Sequence, residues 1–192
     1  MARITYADIG HSSQKIKEFF EKLKGSDLEI LNVHRMVAHS EASVREFIRF
    51  GSRLLTKPHL SPRLRELVIL RIAQLHEARY EWAHHVPIAL QAGVSMDQIR
   101  QLNQWQASAS FSGEEKAVLA YTEELFRRHE PAEETFNCAS QYLDHPALVE
   151  LTLCIGYWSM VAKFLKTFQV DVEEDFARQN AQLLENAGQA GK

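Results

Sequence analysis

The stretch "LSPRLRELVILRIAQLHEARYEWAHHVPIALQAGVSMDQI", Leu60 to Ile99, has the pattern of two helices joined by a short turn. Ser61 is a typical N-cap, and Pro62 suits the first helical position, where its missing N–H costs nothing. The segment from Leu67 to Leu75 is apolar on nearly every side. We therefore predict that the first helix is central and covered by several neighbours.

Helical patterns continue on both sides of this stretch. Apolar residues recur at helical spacing over residues 13–24, 28–38 and 41–55. Farther along, capping boxes begin at Ser95 and Ser112, and Asp144 is the N-cap of a long apolar helix that ends near Phe168. The sequence contains no period-two strand pattern, no glycine-rich phosphate loop and no G-x-S-x-G motif. We predict an all-α fold, with one domain over residues 1–172 and a polar C-terminal tail over residues 173–192.

Composition narrows the classes of partner. The chain has 192 residues, of which 45% are hydrophobic and 24% charged, as in ordinary globular proteins. A net charge of −3 without any basic block argues against nucleic acid or an anionic membrane as a partner. The N-terminus lacks the apolar run of a signal peptide, and we identify no membrane span, so we expect a cytoplasmic location. Cys138 and Cys154 form no C-x-x-C pair, and we expect two reduced, inert thiols.

Titratable side chains are concentrated in the second helix of the quoted stretch. Glu81 and His85 are four residues apart and share a helix face, and His84 lies beside them. Glu66 stands just before the apolar run of the first helix, where burial would raise its pKa. If the two helices pack as a hairpin, Glu66, Glu81 and His85 meet in one pocket as a possible acid–base set.

Structural roles explain the same residues equally well at this point. Glu81 and His85 could form an exposed ion pair that contributes little to stability. Glu66 could be anchored by Arg65, Arg71 or a more distant arginine. A metal site built from Glu66, Glu81, His84 and His85 is a further alternative, but the spacing lacks the second histidine of H-E-x-x-H, and we predict no metal.

The stretch from Leu60 to Ile99 resembles the core of the carboxymuconolactone decarboxylase family, which is related to the alkyl hydroperoxide reductase D-type (AhpD-like) proteins. The resemblance implies an AhpD-like helical fold with a central helical hairpin and assembly into homo-oligomers, often trimers or hexamers. In the AhpD-like branch, a glutamate is followed twelve residues later by C-x-x-C-x-x-x-H. Here Glu66 and His85 match, whereas Ala78 and Glu81 stand in place of the two cysteines. Dithiol peroxidase chemistry, which needs both thiols, is therefore disfavoured.

The decarboxylase branch implies chemistry without a metal or organic cofactor on a small lactone or carboxylate. Loss of CO₂ leaves electrons that reach the lactone carbonyl through the ring alkene, and an acid then protonates carbon. On this basis we assign His85 as the acid, with Glu66 and Glu81 orienting it or relaying its proton. Further candidates for substrate binding are Arg71, Arg79, His84 and Trp82.

Two other hypotheses remain open. One is a thiol-dependent, peroxiredoxin-type antioxidant protein that uses Cys138 and Cys154. The other is a non-catalytic oligomer that binds a small ligand. A pocket that reaches Glu66, Glu81 and His85 would favour an enzyme, and a closed cluster would favour the non-catalytic alternative.

Overall fold

The first helix of the quoted stretch lies at the centre of the fold in the computed structural model, which describes residues 1–25, 29–56 and 58–188. This helix, α4 (Pro62–His76), begins at Ser61, whose hydroxyl accepts the N–H of Leu64. All residues from 64 to 74 are buried. Helices pack against α4 on several sides, which explains why its sequence is apolar all round.

A hairpin joins α4 to the second helix, α5 (Arg79–Gln91). The chain turns at Glu77, which has a left-handed backbone with φ of 53°, and α5 then packs back along α4. α5 continues through Pro87 and ends just before Gly93, whose φ of 90° favours glycine. The predicted central helical hairpin is confirmed.

The remaining helices surround this hairpin, and the described residues contain no strand, so the predicted all-α class is confirmed. The apolar segment predicted over residues 28–38 becomes a shorter helix, and Leu28 lies outside the described residues. The other helices are α1 (Gln14–Lys24), α2 (Asn32–Val37), α3 (Glu41–Thr56), α6 (Met96–Gln101), α7 (Gly113–Arg128), α8 (Glu133–Ser140), α9 (His145–Phe168), α10 (Glu174–Gln179) and α11 (Ala181–Ala187).

Three groups of buried apolar side chains hold these helices together. The first lies between α4, α7 and α9, and the second between α4, α5, α6 and α11. The third joins α1, α2 and α3 to the C-terminal half of α9. α3 and α9 therefore come together beside α5 of the central hairpin, where side chains from three distant parts of the sequence can face one another.

Helix α9 is long and apolar enough to cross a membrane, judged by length and composition alone, with a mean hydropathy of 1.4. By this measure, the prediction that the sequence contains no candidate membrane span is wrong for α9. One face of the helix packs along α4 in the first apolar group, as in the core helices of soluble proteins, which have the same composition.

The described part of the polar tail is folded onto the hairpin. Leu183, Leu184 and Ala187 join the second apolar group. The indole N–H of Trp82 donates to the carbonyl oxygen of Gly188 at 3.1 Å. Residues 173–188 therefore cover part of α5.

Candidate active site

A cavity of about 270 Å³ lies between α3, α5 and α9. Its lining is mostly apolar, and its titratable groups are those of His34, Tyr80, Glu81, His84, His85 and Tyr157. None of the described lining residues is lysine or arginine. The apolar lining includes Val33, Phe47, Ile48, Leu55, Ile88, Val161 and Leu165.

Three helices hold the imidazole of His85. Glu66, on α4, is fully buried, and its Oε2 accepts the Nδ1–H of His85 at 2.8 Å. Oε1 of Glu66 accepts the Nε–H of Arg65 at 3.0 Å and lies 3.0 Å from Nη2 of the same guanidinium. On the other side, the indole N–H of Trp158, on α9, donates to Nε2 of His85 at 3.1 Å. The structure thus brings Glu66 and His85 together, and Arg65 is the arginine that anchors Glu66.

These contacts define which nitrogen of His85 carries the proton. An indole nitrogen is a donor only, so Nε2 of His85 must offer a lone pair to Trp158. The proton of a neutral imidazole is then on Nδ1, where it is donated to Glu66. A carboxylate that holds an imidazole in this tautomer is the arrangement of a general base. The geometry therefore favours a base role for His85, where the sequence led us to assign an acid.

Glu81 is the proton-bearing group of the cavity. Its side chain is 2% exposed, and neither carboxyl oxygen has a hydrogen-bond partner within the described part of the chain. Burial raises the pKa of Glu81 well above its usual range, because the apolar surroundings disfavour the charged carboxylate. The alternative of an exposed Glu81–His85 ion pair is wrong because Glu81 is buried and His85 is bonded to Glu66.

His84 also lines the cavity, but its partners come from the tail. Nε2 of His84 lies 2.7 Å from Oε2 of Glu173, and its ring stacks on Phe176 with centroids 4.2 Å apart. Burial acts to raise the pKa of Glu173, but hydrogen bonds from His84, the Asn32 backbone and Tyr80 outweigh it and lower the pKa to about 2. His84 therefore ties the tail to the rim of the cavity.

The side chains considered as metal ligands have separate partners. His84 is bonded to Glu173 and His85 to Glu66, while the oxygens of Glu81 are unpaired. Among residues 1–25, 29–56 and 58–188, no group of three or more histidine, cysteine or acidic side chains is arranged around a common point. The four residues therefore do not form one ligand set here.

The other predicted substrate-binding residues lie outside the cavity lining. Arg71 is buried and forms an ion pair with Glu123 at 2.7 Å, because a charge inside the core needs a partner. Arg79 is exposed at the start of α5. Trp82 packs in the second apolar group and donates to Gly188. Arg71 and Arg79 therefore do not line this cavity, and their role in binding a carboxylate stays a prediction.

Three residues that the sequence did not single out shape the cavity. Trp158 contacts the base, and the hydroxyl of its neighbour Tyr157 donates to the carbonyl oxygen of Phe47 at 2.9 Å. A Cβ at Gly51 would lie 2.9 Å from Cζ of Tyr157, so only glycine leaves room for that ring. The adjacent aromatic pair in α9 was the available signal, but it also fits an ordinary core helix.

The two cysteines are remote from this chemistry. Cys154 is buried in the first apolar group, and burial raises the pKa of its thiol. Cys138 is exposed on α8. Neither cysteine lines the cavity, and both are free thiols. A reactive thiolate beside Glu66 and His85 is therefore not provided by either residue.

Comparison with known proteins agrees with the resemblance seen in the sequence. Residues 41–124, which include Glu66, Glu81 and His85, match the model of the carboxymuconolactone decarboxylase family. The family resemblance is thus confirmed for this segment. A search of curated proteins gives no significant match.

Solved structures share the fold over most of the chain at low sequence identity. A peroxidase-related protein from Ralstonia eutropha JMP134 with an alkylhydroperoxidase AhpD core has a TM-score of 0.76 at 14% identity and covers 91% of this chain and 94% of its own. A peroxidase-related protein from Silicibacter sp. TM1040 gives 0.74 at 13% identity, with the same coverage. The debrominase Bmp8, as an alanine variant in complex with 2,3,4-tribromopyrrole, gives 0.76 at 13% identity and covers 96% of this chain and all of its own. The AhpD-like fold is therefore confirmed, and these similarities extend to the fold alone.

Proposed function

We propose that this protein, whose residues 41–124 match the carboxymuconolactone decarboxylase family, is a cofactor-free acid–base enzyme that forms the enolate of a small unsaturated lactone. One observation carries the proposal. A buried carboxyl whose oxygens have no hydrogen-bond partner among the described residues, Glu81, and an imidazole whose Nε2 accepts a hydrogen bond, His85, line the same apolar cavity. Surroundings that raise the pKa of the carboxyl, and a hydrogen bond that makes Nε2 the acceptor nitrogen, assign the acid and base roles to different groups.

The proposed reaction begins at the base. Nε2 of His85 takes a proton from the carbon beside the lactone carbonyl, and the C–H electron pair moves onto the carbonyl oxygen. Glu66 accepts the Nδ1–H and stabilises the imidazolium that forms. The carboxyl of Glu81 donates to the enolate oxygen, where a neutral donor in an apolar site is most effective. Return of the proton to the far end of the conjugated system gives the isomerised lactone.

Decarboxylation reaches the same kind of intermediate. In a lactone with one suitably placed carboxylate, the bond to CO₂ breaks in place of a C–H bond, and its electrons reach the same carbonyl oxygen. An apolar wall favours this step because it removes water from the carboxylate. The lining residues that the structure describes include no cation, so a substrate with two carboxylates would leave a charge unpaired. We therefore favour lactones with at most one negative charge.

The other hypotheses have less support. A thiol peroxidase needs a reactive thiolate, but the thiol of Cys154 is buried with a raised pKa and Cys138 lies on the surface, away from the cavity. A non-catalytic protein that binds a small ligand would also use a cavity, but it has no need of a buried carboxyl, Glu81, that lacks a partner among the described residues. The small flat ring bound by the debrominase Bmp8 is a ligand of the size that a cavity of about 270 Å³ admits.

The test uses α-angelica lactone, an uncharged unsaturated lactone, in D₂O. Conversion to the conjugated isomer is followed by ultraviolet absorbance, and deuterium uptake by NMR. We expect His85→Gln to lower the rate by about 10²- to 10⁴-fold, the usual contribution of a general base. Glu81→Leu should lower it by about 10²-fold, as for loss of an oxyanion donor.

Trp105→Phe is the matched control, because Trp105 is buried in the second apolar group outside the cavity and its indole N–H is bonded to Glu123. It should leave the rate unchanged. The same assays are run on a butenolide with one carboxylate, with CO₂ release as the signal. If the protein accelerates neither reaction above the uncatalysed rate, or if both site variants match the unchanged protein, the proposal is rejected.

We also propose that the protein is a homo-oligomer, as a trimer or hexamer, in the cytoplasm. An exposed stripe on α9, formed by Val149, Leu153 and Met160, supports the assembly, because exposed apolar patches mark interaction surfaces. Leu153→Glu should lower the molar mass measured by light scattering. The proposal is contradicted if the variant has the same molar mass as the original protein, or if the original protein is itself a monomer.

A further inference from the structure

We infer that Trp158 is a positioning residue of this site, whose indole N–H caps the base nitrogen of His85 until a substrate carbon takes its place. The inference rests on the proposed role of His85 as the base. Trp158 lies on α9, 73 residues along the chain from His85, and no sequence motif connects the two.

The contact is fixed by rigid surroundings. Trp158 is 4% exposed, and its ring meets that of His85 edge to face with centroids 5.6 Å apart. The neighbouring Tyr157 packs against the indole at 4.4 Å and is itself bonded to the carbonyl oxygen of Phe47. The indole is therefore aimed at Nε2 of His85 by the packing of α9 against α3.

The direction of this hydrogen bond has a chemical consequence. The bond forms only while Nε2 of His85 has no proton, because two N–H donors cannot bond to each other. The indole therefore holds the neutral imidazole in the tautomer with its proton on Nδ1 and with Nε2 as the acceptor. It also occupies the lone pair, which is otherwise free to bind water or a metal ion.

Other charged or titratable groups surround the same imidazole. Glu66 and Arg65 face it from α4, and Glu66 accepts its Nδ1–H. Glu81 lies one turn away on α5, and Tyr157 contributes a phenol from α9. In this set the indole N–H of Trp158 is the contact made to Nε2.

The direct test is NMR on the full-length protein labelled with ¹⁵N in histidine and tryptophan. An N–H···N bond between Trp158 and His85 should give a measurable nitrogen–nitrogen coupling at pH 7, with Nε2 of His85 at the chemical shift of an unprotonated nitrogen. In Trp158→Phe the coupling should disappear. Trp105→Phe, which also removes a bonded indole N–H, should leave the His85 signals unchanged.

Kinetics with α-angelica lactone provide the functional readout. Trp158→Phe should lower kcat severalfold with little change in KM, because the imidazole of His85 loses the contact that orients its Nε2. A variant damaged only in packing would lose activity through a raised KM or a smaller folded fraction, and an unchanged kcat overturns the inference. Absence of the coupling, or a protonated Nε2 at pH 7, also overturns it.

The two proposals fail in different ways. If the coupling is absent while His85→Gln still abolishes turnover, the role of Trp158 is rejected and the proposed function stands. If the coupling is present but the protein turns over neither lactone, the proposed function is rejected. The role of Trp158 in catalysis is then rejected as well, and the hydrogen bond between His85 and Trp158 is only structural.

Discussion

Replacement of Glu81 by glutamine should stabilise the protein, by an amount that grows as the pH rises. In the unfolded chain, Glu81 has the ordinary pKa of 4.5, whereas burial raises its pKa well above that value in the folded protein. Between the two values, unfolding releases a proton from this residue. Each pH unit in that interval therefore costs the folded state about 1.4 kcal/mol.

The sign follows from which state binds the proton more tightly. Below pH 4.5, Glu81 is protonated in both states and its titration costs nothing. As the pH rises above 4.5, only the unfolded state gains from ionisation, so the stability of the unchanged protein declines relative to Glu81→Gln. Both side chains place an unpaired polar group in the same apolar site, so we expect a small difference at pH 4.5 and a slope approaching about 1.4 kcal/mol per pH unit above it.

The assay is urea unfolding at pH 5, 6 and 7 and at one fixed protein concentration. Glu134→Gln is the matched control, because Glu134 is exposed on α8 and the substitution makes the same chemical change. If the difference for Glu81→Gln stays constant within about 0.5 kcal/mol from pH 5 to pH 7, Glu81 ionises normally in the folded protein. Glu81 would then carry no proton to donate to the enolate oxygen, and its proposed role would be rejected.

Three further predictions concern other contacts of the site. Glu173→Gln should lower the free energy of unfolding at pH 7 by about 2 kcal/mol, because it removes charge-assisted hydrogen bonds. Since the pKa of Glu173 is lowered to about 2, this loss of stability should shrink as the pH falls from 4.5 towards 2. Urea unfolding at pH 7 and at pH 3 measures the difference. Gly51→Ala should destabilise the protein by about 1–3 kcal/mol, because the added Cβ overlaps Tyr157. Gly156→Ala should stabilise it by about 0.5–1 kcal/mol, because there is open space at the added Cβ. Equal unfolding temperatures for the two variants would contradict the packing described. Iodoacetamide should alkylate Cys138 alone in the folded protein and both cysteines in urea, as counted by mass spectrometry; rapid labelling of Cys154 in the folded protein would refute its burial.

Local signals explain what the sequence predicted well. The cap at Ser61 and the capping boxes at Ser95 and Ser112 depend on residues three or four positions apart, and each forms as predicted. The hairpin follows from one helix that is apolar on every side and a short turn. Because two helices joined by a short turn must pack together, the contact between Glu66 and His85 was also predictable.

The rest of the site depends on pairings that no local pattern records. Trp158 and Glu173 reach His85 and His84 from 73 and 89 residues away. Arg71 looked available for a substrate, but its partner Glu123 comes from α7, and helical periodicity does not specify which neighbour a buried charge will meet. The protonation state of Glu81 likewise depends on side chains that α3 and α9 bring around it.

The attachment of the tail changes where the functional unit ends. A premature stop codon after Val172 would retain every residue of the proposed acid–base set and the whole segment that matches the family. It would also remove the carboxylate that joins His84 to Tyr80 and uncover the buried indole of Trp82. Natural variation that trims the carboxyl end of this chain should therefore be as damaging as substitutions inside the hairpin.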